Sequence, residues 1–286
     1  MAILKHMSSK SADYGRAMEY LMYQHDRYSN NMLFDERGNC LMRENFLIDA
    51  IDCSVSTFDA ECMALNRKYG KNRDRNDVKS HPYIISFDPK DALEGALNVE
   101  DAQRIGMEYA KRNFPGHQTL VATHDDGDNG SHNIHVHIII NSLRKRDVDR
   151  QSFMERTCDA KAGYKHHLTD KYLSYLKRDL MKTCEQEKLH QVDLLSPAKR
   201  RVTEREYWAG LRGQRRLDKQ FSDASNRRSR PDLHIDPDAP DFPVKSRFET
   251  QKEQLRLAIE DVSKEANSDA DFGRRLKEKY NITDEE

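Results

Sequence analysis

The chain has 286 residues, 36% of them hydrophobic and 34% charged, with a formal net charge of −1. That length suits one substantial domain plus an extension, or two small domains, and near-neutrality excludes indiscriminate cationic binding to polyanions. Its 5 cysteines contain no CxxC pair, which excludes a thiolate zinc cluster or a disulfide framework, and the opening MAILKHMSSK has no apolar stretch of signal or anchor length, so a reducing cytoplasm is the expected compartment.

Residues 11–24 (SADYGRAMEYLMYQ) read as a short helix, with Ala17, Met18 and Leu21 at helical spacing and Ser11 or Asp13 as its cap. Turn chemistry follows at Asp35–Gly38, then a mixed stretch to residue 60. Tyr83–Phe87 (YIISF) predicts a strand ended by Asp88–Pro89. Asn98 with Asp101 resembles a helix cap, and Ala102, Ile105, Tyr109 and Ala110 carry an amphipathic helix to about Asn113, where Pro115–Gly116 stops it. Strands around Thr119–His124 and Ile134–Asn141 are joined by the polar loop DDGDNGSHN, a hairpin with a long connection. A helix starts at Thr169 with Tyr172, Leu173, Leu176 and Leu180 on one face. Basic residues dominate from Lys199 to Arg230, Pro231–Pro243 reads as a linker, and two further helices carry Leu255, Ala258, Ile259 and Val262, then Phe272 and Leu276.

The chemistry concentrates in HNIHVHIIINS, residues 132–142. On a strand, His135, His137, Ile139 and Asn141 point one way, while Ile134, Val136, Ile138 and Ile140 form an aliphatic strip on the other face. Two imidazoles and an amide on one half-buried face call for something that binds them. Histidines at i and i+2 on a strand lie about 7 Å apart at the backbone, close enough to share a metal ion. His124 ends the preceding strand and is the third expected ligand. Asp126 stands just beyond, able to orient a ligand histidine. His132 falls one residue out of register. A lone HxH is weak, because exposed strand histidines are common; HxD, a loop, HxH and a same-face Asn together are specific.

The pattern His124-x-Asp126 … His135-Val-His137-x-x-x-Asn141 resembles the third motif of conjugative relaxases of the mobilisation-protein (MobA/VirD-like) type, in the HUH endonuclease superfamily. The likeness covers most of residues 1–220 and is similar to relaxases of integrative conjugative elements of Gram-positive bacteria. The spacing from Asp126 to His135 exceeds the family's tighter pattern, which touches the role of Asp126 more than those of the histidines. The resemblance implies an α+β, two-layer fold: a mainly antiparallel five-stranded sheet with flanking helices, the histidines near its centre, and a helical C-terminal extension. It implies metal-assisted attack by a tyrosine on one strand at an origin of transfer, giving a 5′-phosphotyrosine intermediate that later rejoins the strand. Tyr20, in Glu-Tyr-Leu, matches the family's N-terminal nucleophile, with Tyr23 as the alternative and Tyr14 and Tyr28 outside that context. The expected catalytic set is Tyr20, Asn141 and Asp126. The expected metal ligands are His124, His135 and His137, for Mn²⁺ first, or Mg²⁺, Zn²⁺, Ni²⁺ or Co²⁺.

The expected domains are 1–197 catalytic, 198–230 a basic DNA-binding segment, 231–246 a linker and 247–286 a helical region, read as incomplete because little follows for its helices to pack on. Lys161, Tyr164, Lys165, His166, His167, Arg200, Arg201, Arg212, Arg215 and Arg216 are the expected contacts to single-stranded and hairpin or duplex DNA. Accessory relaxosome and coupling proteins are the further expected partners, and no membrane is. Two rivals stand beside this reading: a rolling-circle replication initiator of the same superfamily, whose tyrosine usually follows the histidines, and a non-catalytic DNA-binding protein with a structural metal, which would normally use a closed four-ligand site, often with Cys.

Overall fold

The computed structural model describes residues 2–11, 13–25, 31–43, 45–125, 133–196, 202–228 and 247–283. The chain divides into two compact units, Met1–Pro197 and Ala198–Glu286. In the first, the order is β1 (Ile3–His6), α1 (Gly15–Met22), β2 (Phe46–Ile51), α2 (Phe58–Tyr69), β3 (Ser80–Ser86), α3 (Pro89–Leu93), α4 (Val99–Asn113), β4 (His117–His124), β5 (His135–Arg144) and α5 (Asp170–Gln186).

The strands form one five-stranded sheet in the order β1-β3-β5-β4-β2, antiparallel at every pairing. β5, the longest strand and buried along nearly all its length, holds the centre. The half-exposed β1 and β2 take the edges, as their mixed side chains require. Register pairs Ala122 with His137 and His124 with His135, so the histidines share one face at one end of the sheet.

Alternation then sorts the layers. Tyr83, Ile85, Val121, Val136, Ile138 and Ile140 face one way and join Ala102, Ile105 and Tyr109 of α4 and Tyr172, Leu176 and Leu180 of α5 in the main core. Gly106 allows that packing. A Cβ there would lie 2.4 Å from Val136 Cγ1 and 3.2 Å from Val121 Cγ1, so only glycine lets α4 sit this close. On the histidine face, Leu120, Ala122 and Ile139 are covered by Tyr14 and Leu21 from the α1 region and Phe58 and Cys62 of α2. The fold is the expected α+β sheet, with helices on both faces: α1 and α2 close the part of the histidine face that carries aliphatic side chains.

Helix starts follow local chemistry. The Asn98 side chain accepts from Asp101 N–H at 2.7 Å, and Thr169 Oγ1 accepts from Tyr172 N–H at 3.3 Å. In the second unit, α6 (Glu204–Arg228) is a single 25-residue helix through most of the basic segment. α7 (Gln251–Ser263) and α8 (Asp269–Tyr280) bury Ala258, Val262 and Leu276 against each other, with Phe272 beside them. The expected linker 231–246 lies outside the described residues.

Candidate active site

α1 is held by its first aromatic. Tyr14 is 2% exposed; its hydroxyl lies 2.9 Å from the Lys79 carbonyl and 3.3 Å from Asn141 Oδ1, and accepts from Asn66 Nδ2 at 3.1 Å. Burial pushes this phenol's ionisation well above the ordinary tyrosine range. With Tyr14 fixed and Leu21 buried, the helix turns Tyr20 outward, 39% exposed. Its ring centroid stands 6.1 Å from that of His137, edge to face at 72°.

Beneath it, His124 and His137 stack 4.7 Å apart at an interplanar angle of 21°, with Nε2 to Nε2 at 2.8 Å. Such a contact is either a hydrogen bond between unlike tautomers or two lone pairs that a cation between them would satisfy. Imidazole ligands at 2.0–2.1 Å from an ion leave their nitrogens about 3 Å apart, so these two rings fit a pair of metal ligands. The His135 ring lies 5.8 Å from His124 and 6.5 Å from His137. It is a neighbour that must turn inward to become a third ligand. Among the described residues, no group of three His, Cys, Asp or Glu side chains is already arranged to hold an ion.

The remaining expected residues separate. Tyr23 has left the helix: it is extended at φ −109°, ψ 154° and bridges Met42. Asn141 is fully buried; beyond Tyr14, its Nδ2 donates to Gln118 Oε1 at 3.0 Å. That gives Asn141 a supporting position under α1, away from the phenol of Tyr20. Asp126 lies outside the described residues, as do His132, Tyr28, Arg200 and Arg201.

Among the expected DNA contacts, His166 requires correction. It is 8% exposed, its N–H donates to Ser142 O at 2.6 Å, and its Nε2 meets Tyr83 Oη at 2.8 Å, so it faces the core. His167 Nδ1 lies 3.3 Å from Asp159. Lys161 pairs with Asp147 at 2.8 Å and Lys165 with Asp77 at 2.7 Å. Tyr164 is 44% exposed beside the Lys71 ammonium, 4.6 Å from its ring centroid. Arg212, Arg215 and Arg216 are exposed on α6.

The structure adds neighbours that sequence spacing did not mark. His25 lies 5.1 Å from Tyr20, ring to ring, and the Arg43 guanidinium carbon is 5.8 Å from the Tyr20 centroid. On the opposite sheet face, His6, His81, His117 and His166 form a second group: His6 Nε2 meets His81 Nδ1 at 3.1 Å, and the His166 ring stands 4.7 Å from His81 and 5.5 Å from His117. Burial lowers His81 to about 4 and His117 to about 3, with the cation of Arg144 adding to the latter. These rings are neutral packing groups.

Residues 30–158 match the family model of the relaxase MobA/VirD2-like nuclease domain. Two proteins from Staphylococcus aureus, each named Protein rlx, are 33% identical over 94 residues and 34% identical over 93, covering 33% and 32% of this chain and 25% of each relative. The chain thus spans about a quarter of the length of the curated relatives it matches. Similar solved structures include one from work on the molecular basis of vancomycin-resistance transfer in Staphylococcus aureus, with a TM-score of 0.40, 11% identity and coverage of 67% of this chain and 96% of that one. The metal-bound conjugative relaxase TrwC with oriT DNA gives a TM-score of 0.39 at 13% identity, covering 96% of this chain and 98% of that one.

Proposed function

We propose that this chain, which carries a MobA/VirD2-like relaxase nuclease domain, nicks one DNA strand at an origin of transfer during conjugative mobilisation. Tyr20 is the nucleophile in this reading. The observation that carries it is the exposed Tyr20 ring 6.1 Å from His137, over the His124–His137 pair.

The phenolic oxygen of Tyr20 attacks the scissile phosphorus. A tyrosyl O–P bond forms, the P–O3′ bond breaks, the phenolic proton passes to solvent, and the departing 3′ oxygen takes up a proton. The phosphodiester energy stays in the tyrosyl ester, so a later 3′-hydroxyl attack rejoins the strand without a nucleotide cofactor. His124 and His137, with His135 as a third ligand, would hold a divalent cation, which would supply charge neutralisation and orientation at the phosphate. Imidazole ligands suit Mn²⁺, Zn²⁺, Ni²⁺ or Co²⁺ better than Mg²⁺. Tyr14, Asn66 and Asn141 keep α1 seated so that Tyr20 overlooks the imidazoles.

The second unit supports a DNA role of its own. At 100° per residue, Arg205, Trp208, Arg212, Arg215, Arg216 and Lys219 fall within an arc of about 100° on α6, and all are exposed. Glu206 and Gly213 are buried on the other side. This cationic stripe suits the phosphate backbone of a duplex or hairpin.

The test is incubation of the full chain with labelled single-stranded origin DNA and Mn²⁺, followed by a denaturing gel. The wild type gives a covalent adduct, Tyr20→Phe gives none while still binding DNA, and His137→Ala loses metal and cleavage together. An adduct that persists in Tyr20→Phe contradicts the mechanism.

A further inference from the structure

The segment after α1 folds back beside the helix end. Gln24 N–H donates to Leu41 O at 2.8 Å, Leu33 N–H to Gln24 O at 2.9 Å, Leu41 N–H to Leu33 O at 2.9 Å and Arg43 N–H to Met22 O at 3.0 Å. A turn stiffened by Asp35, whose carboxylate accepts from the N–H groups of Arg37 and Asn39, closes the loop. One consequence falls on the nucleophile. Gln24 N–H, the ordinary helical donor to the Tyr20 carbonyl, is engaged with Leu41 instead. Arg43 takes its place, with Nη2 donating to Tyr20 O at 3.2 Å while its guanidinium carbon stands 5.8 Å from the Tyr20 ring centroid.

We propose that Arg43 is the positioning residue for the attacking tyrosine, fixing both the backbone carbonyl and the ring of Tyr20 through one planar cation. This rests on Tyr20 being the nucleophile. At the end of α1, where Gln24 N–H turns to Leu41, the Arg43 guanidinium contacts both the carbonyl and the ring of Tyr20. In-line attack on phosphorus tolerates little misplacement: about 1 Å costs about 100-fold in rate. Arginine suits both contacts, because its rigid fork reaches a carbonyl while its flat face lies beside an aromatic ring; the compact lysine ammonium serves one at a time. Neither contact involves the DNA, so the effect belongs to the chemical step and leaves ground-state binding alone.

The experiment is single-turnover cleavage by the full chain with Mn²⁺ and a single-stranded oligonucleotide spanning the nick. It compares wild type, Arg43→Ala, Arg43→Lys and Tyr20→Phe, with affinity and melting temperature measured in parallel. Arg43→Ala forms the adduct about 10- to 100-fold more slowly at unchanged oligonucleotide affinity. Arg43→Lys recovers part of that loss, and guanidinium added at non-denaturing concentration restores Arg43→Ala in part. Wild-type cleavage by Arg43→Ala overturns the proposal. So does a loss that lies wholly in affinity, which would make Arg43 a DNA contact, or a loss that tracks a fallen melting temperature and resists both rescues. If Tyr20→Phe still forms the adduct, the nucleophile assignment falls; if Tyr20→Phe is inactive while Arg43→Ala cleaves at the wild-type rate, only the role of Arg43 falls.

Discussion

Tyr14 and Tyr20 stand six positions apart, yet the fold gives them opposite work. Tyr14 is sealed among Lys79, Asn66 and Asn141 and kept protonated by burial; Tyr20 faces solvent above the imidazoles. Tyr14→Phe leaves the Lys79 carbonyl and Asn66 amide short of a partner, at about 1–2 kcal/mol. Chemical denaturation should register that loss, and the adduct should still form, more slowly; unchanged stability would contradict the anchoring role. The histidines were legible because strand alternation with a hairpin puts His124, His135 and His137 on one face whatever the rest of the fold does. Arg43 and His25 were not legible, since they reach Tyr20 through the pairing of residues 23–25 with 32–42, which no local period encodes. His166 misled for a related reason. Its lysine neighbours suggest a surface, whereas its backbone continues the pairing beside β5 and turns the ring inward.

Strong periods made the elements that matter most to the site readable. β5 carries its alternating aliphatic strip, β3 and β4 the short apolar runs Tyr83–Ile85 and Leu120–Ala122, and α4 and α5 a capped helical period. β1 spans only 4 residues, and β2 is an edge strand with Asp49 in its middle, so neither shows continuous burial. In α2, the sequence FDAECMALNRKY mixes polar and apolar residues on both sides, and its helical period is faint. α6 was legible as charge but not as geometry. Only as a helix do its cations share a face with Trp208. That face carries a quantitative expectation: the Arg212→Gln, Arg215→Gln, Arg216→Gln triple variant lowers the slope of log affinity against log salt for duplex origin DNA by about 0.9 per lost phosphate contact. Cleavage of a short single-stranded oligonucleotide should be little changed. An unaltered slope would make the stripe a solvated surface.

At the scale of the molecule, one sheet separates two populations of histidine. Those on the outer face overlook Tyr20; those on the core face, His81, His117 and His166, are held neutral by burial. His81 faces His6 and Lys165, and His117 faces Arg144 and His81, so every nearby charge also opposes protonation. Their folded values, about 4 for His81 and about 3 for His117, lie below the ordinary 6.5. Between those limits the unfolded chain binds protons that the folded chain refuses. Stability is therefore fully present above about pH 6.5 and declines as pH falls toward 3–4. A melting-temperature series from pH 8 to pH 4 should show the fall, and His81→Gln should flatten part of it. A flat profile in the wild type would mean these rings are already charged in the fold. No helix among the described residues is long and apolar enough to cross a membrane.

The most direct test of the central claim is mass spectrometry of the protein after reaction with a single-stranded origin oligonucleotide, nuclease trimming and proteolysis. Fragment ions should place a phosphonucleotide on Tyr20, within the peptide that also contains Tyr23. A modification on Tyr23, on any other residue, or on none would contradict the account.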